Sequence, residues 1–272
     1  MFDKQCFMKK FRINADTFLK KLLDNDFNRI TTPFQIMNFK EKLQQNYFTS
    51  LQILYGEAIE DIIKFYLEDK GATFLPRDFI PEMDCDQIFQ FENKVVLIEQ
   101  KIRDDHDSSK KRGQVDNYNA KKNYLFSHFM DKEILSACWF IDDLFTKNRA
   151  YYFSELGKDL YYGSEIEKFF IQVFQDNRCK NFYTDLIDFA ISMKQQFSGL
   201  DFSNLQINFL NFTPAQLSKL FSKEYLLKDI QNIFFNGKIP YLEILNWAKT
   251  KNKTVQNKQL IHFLEAKIGK EL

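Results

Sequence analysis

Apolar residues recur at helical spacing along the first quarter of the chain. Leu51, Leu54, Ala58, Ile59, Ile62, Ile63, Tyr66 and Leu67 fall on one helical stripe, so residues 16–70 read as helices with a stop at Lys70-Gly71. The period then changes. Residues 72–80 (ATFLPRDFI) predict a short strand and a proline-marked turn. Two β-type runs follow, Gln87–Phe91 and Val95–Ile102, joined by Glu92-Asn93-Lys94 as a hairpin connection. Helical character resumes over 107–127 behind a strongly basic start, with Asp107 or Ser108 as its N-cap. Leu135–Ile141 and Ala150–Phe153 predict two more short strands. From Ser154 to Leu272 the patterns are essentially helical, with breaks near Ser198-Gly199, at Thr213-Pro214, near Asn236-Gly237 and at Pro240. Strands covered by helices on both faces need near-continuous apolar runs, and VVLI and CWFI supply them. The expectation is an α/β core between helical layers, with a boundary near 154–160.

Composition narrows the class. Hydrophobic residues make up 44% and charged residues 28% of 272, which excludes disordered and collagen-like chains. Eight Gly and five Pro leave little room for long irregular segments, so helix should dominate. No apolar stretch suits a signal peptide or a membrane span. Cys6, Cys85, Cys138 and Cys179 lie far apart without a CxxC pair, the pattern of reduced thiols in a cytoplasmic protein. The net charge of +1 removes the easy argument for a nucleic-acid partner, but it is a sum of opposed parts. Thr213–Leu272 holds ten Lys against five acids, which is +5, and leaves −4 for the remainder.

The stretch with chemistry is Glu82-Met83-Asp84-Cys85-Asp86-Gln87-Ile88-Phe89, followed by Val95-Val96-Leu97-Ile98-Glu99-Gln100-Lys101. An acid opens the first hairpin strand, and an acid–x–lysine closes the second. Strand alternation points Glu99 and Lys101 to one face and Gln100 to the other. Across a tight hairpin Asp86 can lie beside Glu99. Two carboxylates and a backbone carbonyl form a hard-oxygen nest of the kind Mg²⁺ takes, because that ion keeps several waters and few protein ligands. Lys101 would then orient a water or neutralise charge on a phosphate. Asp84 shares a strand face with Asp86; Asp86 is favoured because Ile88 and Phe89 follow it directly.

This arrangement resembles the PD-(D/E)xK nuclease superfamily, with Asp86 as first acid and Glu99-Gln100-Lys101 as the ExK, thirteen positions on. The Pro-Asp dipeptide is absent; the nearest proline is Pro81. Three further features fit. Gly56-Glu57-Ala58-Ile59-Glu60 offers Glu57 or Glu60 as an acid on the preceding helix, and 107–127 supplies the following one. Gln114-Val115-Asp116-Asn117-Tyr118 resembles the QxxxY element of RecB-like members. The resemblance covers about residues 50–155.

It implies a restriction-endonuclease-like core, a central mixed sheet of four to five strands flanked by helices. N-terminal helices would precede the core and a largely helical region would follow it. Residues 1–155 would hold the catalytic core, and 156–272 a region for DNA recognition or dimerisation. It further implies a Mg²⁺-dependent deoxyribonuclease acting on double-stranded DNA, most simply a type II restriction endonuclease. Such an enzyme acts as a homodimer on a short palindrome, with a DNA methyltransferase as genetic companion. Asp86, Glu99, Lys101 and Gln114 would be catalytic, with Asp86, Glu99 and Glu57 toward the metal. Arg103, Lys110, Lys111, Arg112 and Tyr118 would meet DNA; Tyr118 could equally be core. His106 reads as an ordinary loop residue more than a base. Trp139, Trp247 and most of the 31 Phe read as packing. The segment 239–258 reads as helix, basic turn, helix, either a DNA reader or a solvated surface. The absence of GxxxxGKS favours an enzyme that needs no ATPase.

Overall fold

The computed structural model describes all residues except 1, 11–14, 33, 35, 105–106, 198–204 and 272. His106 and the expected break at Ser198-Gly199 therefore lie outside the described residues. In chain order the elements are α1 (Lys4–Lys10), α2 (Ala15–Lys21), α3 (Phe27–Ile30), α4 (Phe39–Asp69), β1 (Thr73–Phe74), β2 (Gln87–Phe91), β3 (Lys94–Lys101) and α5 (Ser108–His128). There follow β4 (Glu133–Phe140), α6 (Arg149–Leu156), β5 (Leu160–Tyr162), α7 (Ile166–Phe174), α8 (Phe182–Phe197), α9 (Pro214–Phe221), α10 (Leu227–Phe234), α11 (Tyr241–Lys249) and α12 (Val255–Glu271). The class is α/β, a five-stranded mixed sheet flanked by helices.

Sheet order is β1-β2-β3-β4-β5. The first two pairings are antiparallel and the last two parallel. Between β3 and β4 the chain crosses over through α5, as a parallel pair requires. In the β2–β3 hairpin Gln87 faces Ile98 and Phe91 faces Lys94, which leaves Glu92-Asn93 as a two-residue turn. Every residue of β3 but Lys101 is buried, because helices cover both faces of the sheet. One face packs Ile88, Val95, Leu97 and Phe140 against Val115, Tyr118 and Leu125 of α5. On the other, Phe91 meets Phe174 of α7 and Trp139 meets Phe182 of α8, with ring centroids 4.8 and 5.9 Å apart.

Ala150–Phe153 is not a strand. Asp104 accepts hydrogen bonds from Asn148 N and Nδ2 at 2.8 and 2.9 Å, which fixes the turn from which α6 starts. Tyr152 and Leu156, four apart, are then its buried positions, while Phe153 faces solvent. The strand that completes the sheet is β5, which pairs with β4 through Leu160–Tyr162.

That placement moves the division of the chain away from 155–156. Two compact units form: residues 1–11 with 54–198, and residues 12–53 with 199–272. The first carries the whole sheet. In the second, Asp16 accepts from Asn208 N and Asn211 Nδ2, and Asp24 accepts from Gln216 Nε2. Early and late segments are thereby joined within one unit. Thr213 caps α9 as expected, accepting from Gln216 N, with Pro214 at the first position. Helix α11, a turn and α12 realise the expected helix–turn–helix of 239–258, with the turn carbonyls of Ala248 and Asn252 bonded by the buried Asn257 amide.

Glu92, the first turn residue of the hairpin, adopts φ 51°, a left-handed conformation that costs a residue with a Cβ about 1 kcal/mol. Glu92→Gly should therefore raise the unfolding free energy by about 0.5–1 kcal/mol. Chemical denaturation checks this; a loss of stability would contradict the turn assignment.

Candidate functional site

The hairpin brings one carboxylate to the start of β2 and another to the end of β3. Asp86 immediately precedes Gln87, and Glu99 lies one position beyond the Gln87–Ile98 pair. Asp86 is locked from two sides: the backbone amide of Gln100 donates to its Oδ2 at 2.9 Å, and Lys101 Nζ donates to the same oxygen at 2.8 Å. Lys101 Nζ also donates to Glu99 Oε1 at 2.9 Å. One ammonium therefore sits where the two carboxylates converge. Gln100 points the other way and receives a long hydrogen bond, 3.4 Å, from the Gln87 amide, as strand alternation demands.

Two cations complete the cluster. Lys121, from α5, donates to Glu99 Oε2 at 2.6 Å and is only 2% exposed. Arg77 pairs with Glu60 Oε2 at 3.0 Å and approaches Asp86 Oδ1 at 3.9 Å. Glu60 is thus the acid of α4 at this site. Glu57, the other candidate of the pair and the one placed toward the metal, adds to the negative charge felt by Glu60. Asp84 is exposed, so the first acid of the cluster is Asp86.

Burial and neighbours set the protonation. Burial, then the Glu99 charge, raises the Asp86 pKa, against the pull of Lys101. Glu99 is buried as well, but Lys101 and Lys121 outweigh this and hold its pKa below the usual range. Glu99, with two ammonium partners, is the ionised member of the pair; Asp86, with a share of one, takes a proton more readily. Burial disfavours the Lys101 charge, yet Glu99 and Asp86 overcome it and push its pKa up. Lys101 is therefore a fixed positive charge and not a base. Burial, and next the charge of Asp86, raises Glu60 to about 7.

Glu99 and Lys101 open onto a cleft of about 350 Å³ whose wall is the first half of α5: Lys110, Gly113, Gln114 and Asn117. Asp107 starts that helix, accepting from Lys110 N at 2.9 Å. Gln114 is held at the wall by the Tyr152 hydroxyl, which donates to its Oε1 at 2.6 Å. The other expected DNA contacts separate. Lys111 turns to Asn148 Oδ1 and the Tyr151 ring, and Arg112 Nε donates to the Ser108 carbonyl. Arg103 lies 3.8 Å from Asp142 and over the Phe145 ring.

Tyr118 shares the helical face of Gln114 but is 1% exposed. Its hydroxyl donates to Asp159 Oδ2, so it is a core residue with no access to DNA. Sequence reasoning missed Lys121, Arg77 and Asn117. Lys121 had a signal: it falls in register with Tyr118 and Leu125 on a buried stripe, where a lysine needs a counter-charge.

Among the described residues no group of three or more His, Cys, Asp or Glu side chains is arranged to hold a metal ion. What the cluster offers is a pair of buried, hard-oxygen carboxylates converging on one positive charge, and one or two carboxylates with water is the donor set Mg²⁺ uses. The residues present fit that ion. No family model, curated protein or solved structure matches the chain. Among the described residues, no helix is long and apolar enough to cross a membrane.

Because Glu60 binds its proton more tightly folded than unfolded, its contribution to stability is lost as pH rises from about 4.5 through about 7. Glu60→Gln should remove that loss. In metal-free buffer the variant's melting temperature, relative to wild type, should be higher at pH 8 than at pH 5. A difference independent of pH would contradict the assignment.

Proposed function

We propose that this chain is a Mg²⁺-dependent deoxyribonuclease of the PD-(D/E)xK kind, cutting double-stranded DNA as a type II restriction endonuclease. The observation that carries the reading is the convergence of the Asp86 and Glu99 carboxylates on the Lys101 ammonium at the mouth of a cleft walled by Lys110 and Gln114. A surface ion pair has no need of this arrangement. Two carboxylates side by side disfavour each other's charge, yet the fold keeps Asp86, just before β2, and Glu99, on β3, together beside an opening.

In this reading Asp86 and Glu99 hold the ion. When bound, Mg²⁺ supplies Lewis-acid stabilisation of the charge that builds on the scissile phosphate. Lys101, permanently protonated, contributes a point charge to the same phosphate oxygens or orients the attacking water. Lys110 contacts a neighbouring phosphate, and Gln114, fixed by Tyr152, positions the backbone at the cleft wall. Cutting both strands of a palindrome requires two such sites, hence a homodimer; the resemblance to restriction endonucleases implies a methyltransferase of matching specificity as genetic companion.

A second reading, a repair or recombination nuclease of RecB-like type, is favoured by Gln114 standing in the cleft at the position of the QxxxY glutamine. Discrete bands from a plasmid would support the restriction enzyme; progressive or end-dependent degradation would support the second.

Purified protein should cleave duplex DNA with Mg²⁺ and not in excess EDTA. Lys101→Ala should lose about 100-fold or more in single-turnover rate while still binding the duplex. Undiminished cleavage by Lys101→Ala or Asp86→Ala would overturn the site. Binding without cleavage by wild type would leave a DNA-binding protein that retains only the fold.

A further inference from the structure

Of the charged groups around Glu99, one has no direct part in the reaction described above. Lys121 lies behind the carboxylate, 2% exposed, on the stripe of α5 that otherwise packs Tyr118 and Leu125 into the sheet. Its ammonium reaches Glu99 Oε2 at 2.6 Å. Stability does not account for a lysine there. Replacing a buried ion pair by well-packed apolar groups is typically neutral or stabilising, whereas an ammonium left alone in that position is strongly unfavourable. Beyond registering α5 on β3, what the lysine can act on is Glu99, the group it bonds.

The two lysines on Glu99 differ in freedom. Lys101 stands at the cleft with its side chain 27% exposed, and water can receive its ammonium if it swings out. Lys121 is enclosed and has no comparable exit. Asp86 and Glu99 would hold a cation in competition with Lys101, which bonds both, and not with Lys121, which bonds the other oxygen of Glu99.

We infer that Lys121 is a positioning residue that clamps Glu99 Oε2, so that Oε1 alone is presented, in fixed orientation, to a single divalent cation. The inference rests on the cation-dependent reading above. Outer partners that orient a liganding carboxylate typically matter 10–100-fold for metal affinity.

The clamp makes a prediction opposite in sign to simple electrostatics. Removing any positive charge near a cation site should tighten cation binding, and both lysines would then behave alike. A clamp makes them differ.

The probe is Mn²⁺, titrated into the full chain without DNA and followed calorimetrically or by the loss of free-ion paramagnetic resonance signal. Lys101→Met should bind Mn²⁺ as tightly as wild type or tighter, because a competitor is gone. Lys121→Met should bind about 10–100-fold more weakly. Lys121→Arg, which keeps a charged donor of at least equal reach, should recover most of the loss, whereas the shorter, neutral Lys121→Gln should not.

Lys121→Met binding as tightly as wild type, or tighter, overturns the clamp. If Lys121→Met does not fold, Lys121→Gln decides against Lys101→Met: weaker binding than both wild type and Lys101→Met supports the clamp, and equal or tighter binding overturns it. A wild-type chain that takes up no Mn²⁺ at millimolar concentration would instead sink the cation site itself, a separate outcome.

Discussion

Both oxygens of Glu99 carry an ammonium, one from its own strand and one from the helix that follows. Neither the acid nor Lys121 could be buried alone, since an unpaired charge in the interior costs several kcal/mol. Lys121 in particular requires Glu99 in place, and the pair joins α5 to β3. With α5 docked, Gln114 and Lys110 become the wall of a cleft, and Tyr118 fills the core beneath. The crossover helix of the sheet and the arrangement of the site thus meet at one pair, 22 positions apart in sequence.

The hairpin was legible because its signals are local. Alternation, a short connection and an apolar run ending in Glu-x-Lys lie within fifteen positions. The structure keeps β2 at Gln87–Phe91 but starts and ends β3 one residue earlier, at Lys94–Lys101, and shortens the expected Glu92-Asn93-Lys94 connection to Glu92-Asn93. The helix behind the site was legible from its basic start and its two N-cap candidates, Asp107 and Ser108, of which Asp107 is the cap. What could not be read were outcomes decided at a distance. Tyr-Tyr-Phe has strand propensity, but Asp104, forty-four positions before Asn148, turns that segment into α6. The short β5 is recognisable as a strand only through β4.

The same applies to the division of the chain. Residues 12–53 join 199–272 through partners such as Asp16 and Asn208, which no local pattern links. Within the site, Lys121 looks like any helical lysine until the face it occupies is known. Arg77, in an irregular segment, carried no signal at all. Tyr118 was open between groove and core, and its burial against Asp159 decided for the core. The acids at the cluster centre and the excess lysines of the last sixty residues also explain why the net charge alone was silent.

The Asp86–Glu99 pair, bridged here by Lys101, is the site we propose for one hard divalent cation. Anomalous diffraction from crystals soaked in Mn²⁺ tests this most directly. One peak is expected between the two carboxylates, with the Lys101 ammonium displaced toward the cleft and Lys121 unmoved on Glu99. A peak elsewhere with Lys101 still bridging the two acids, or no peak at a concentration that saturates binding, would contradict it.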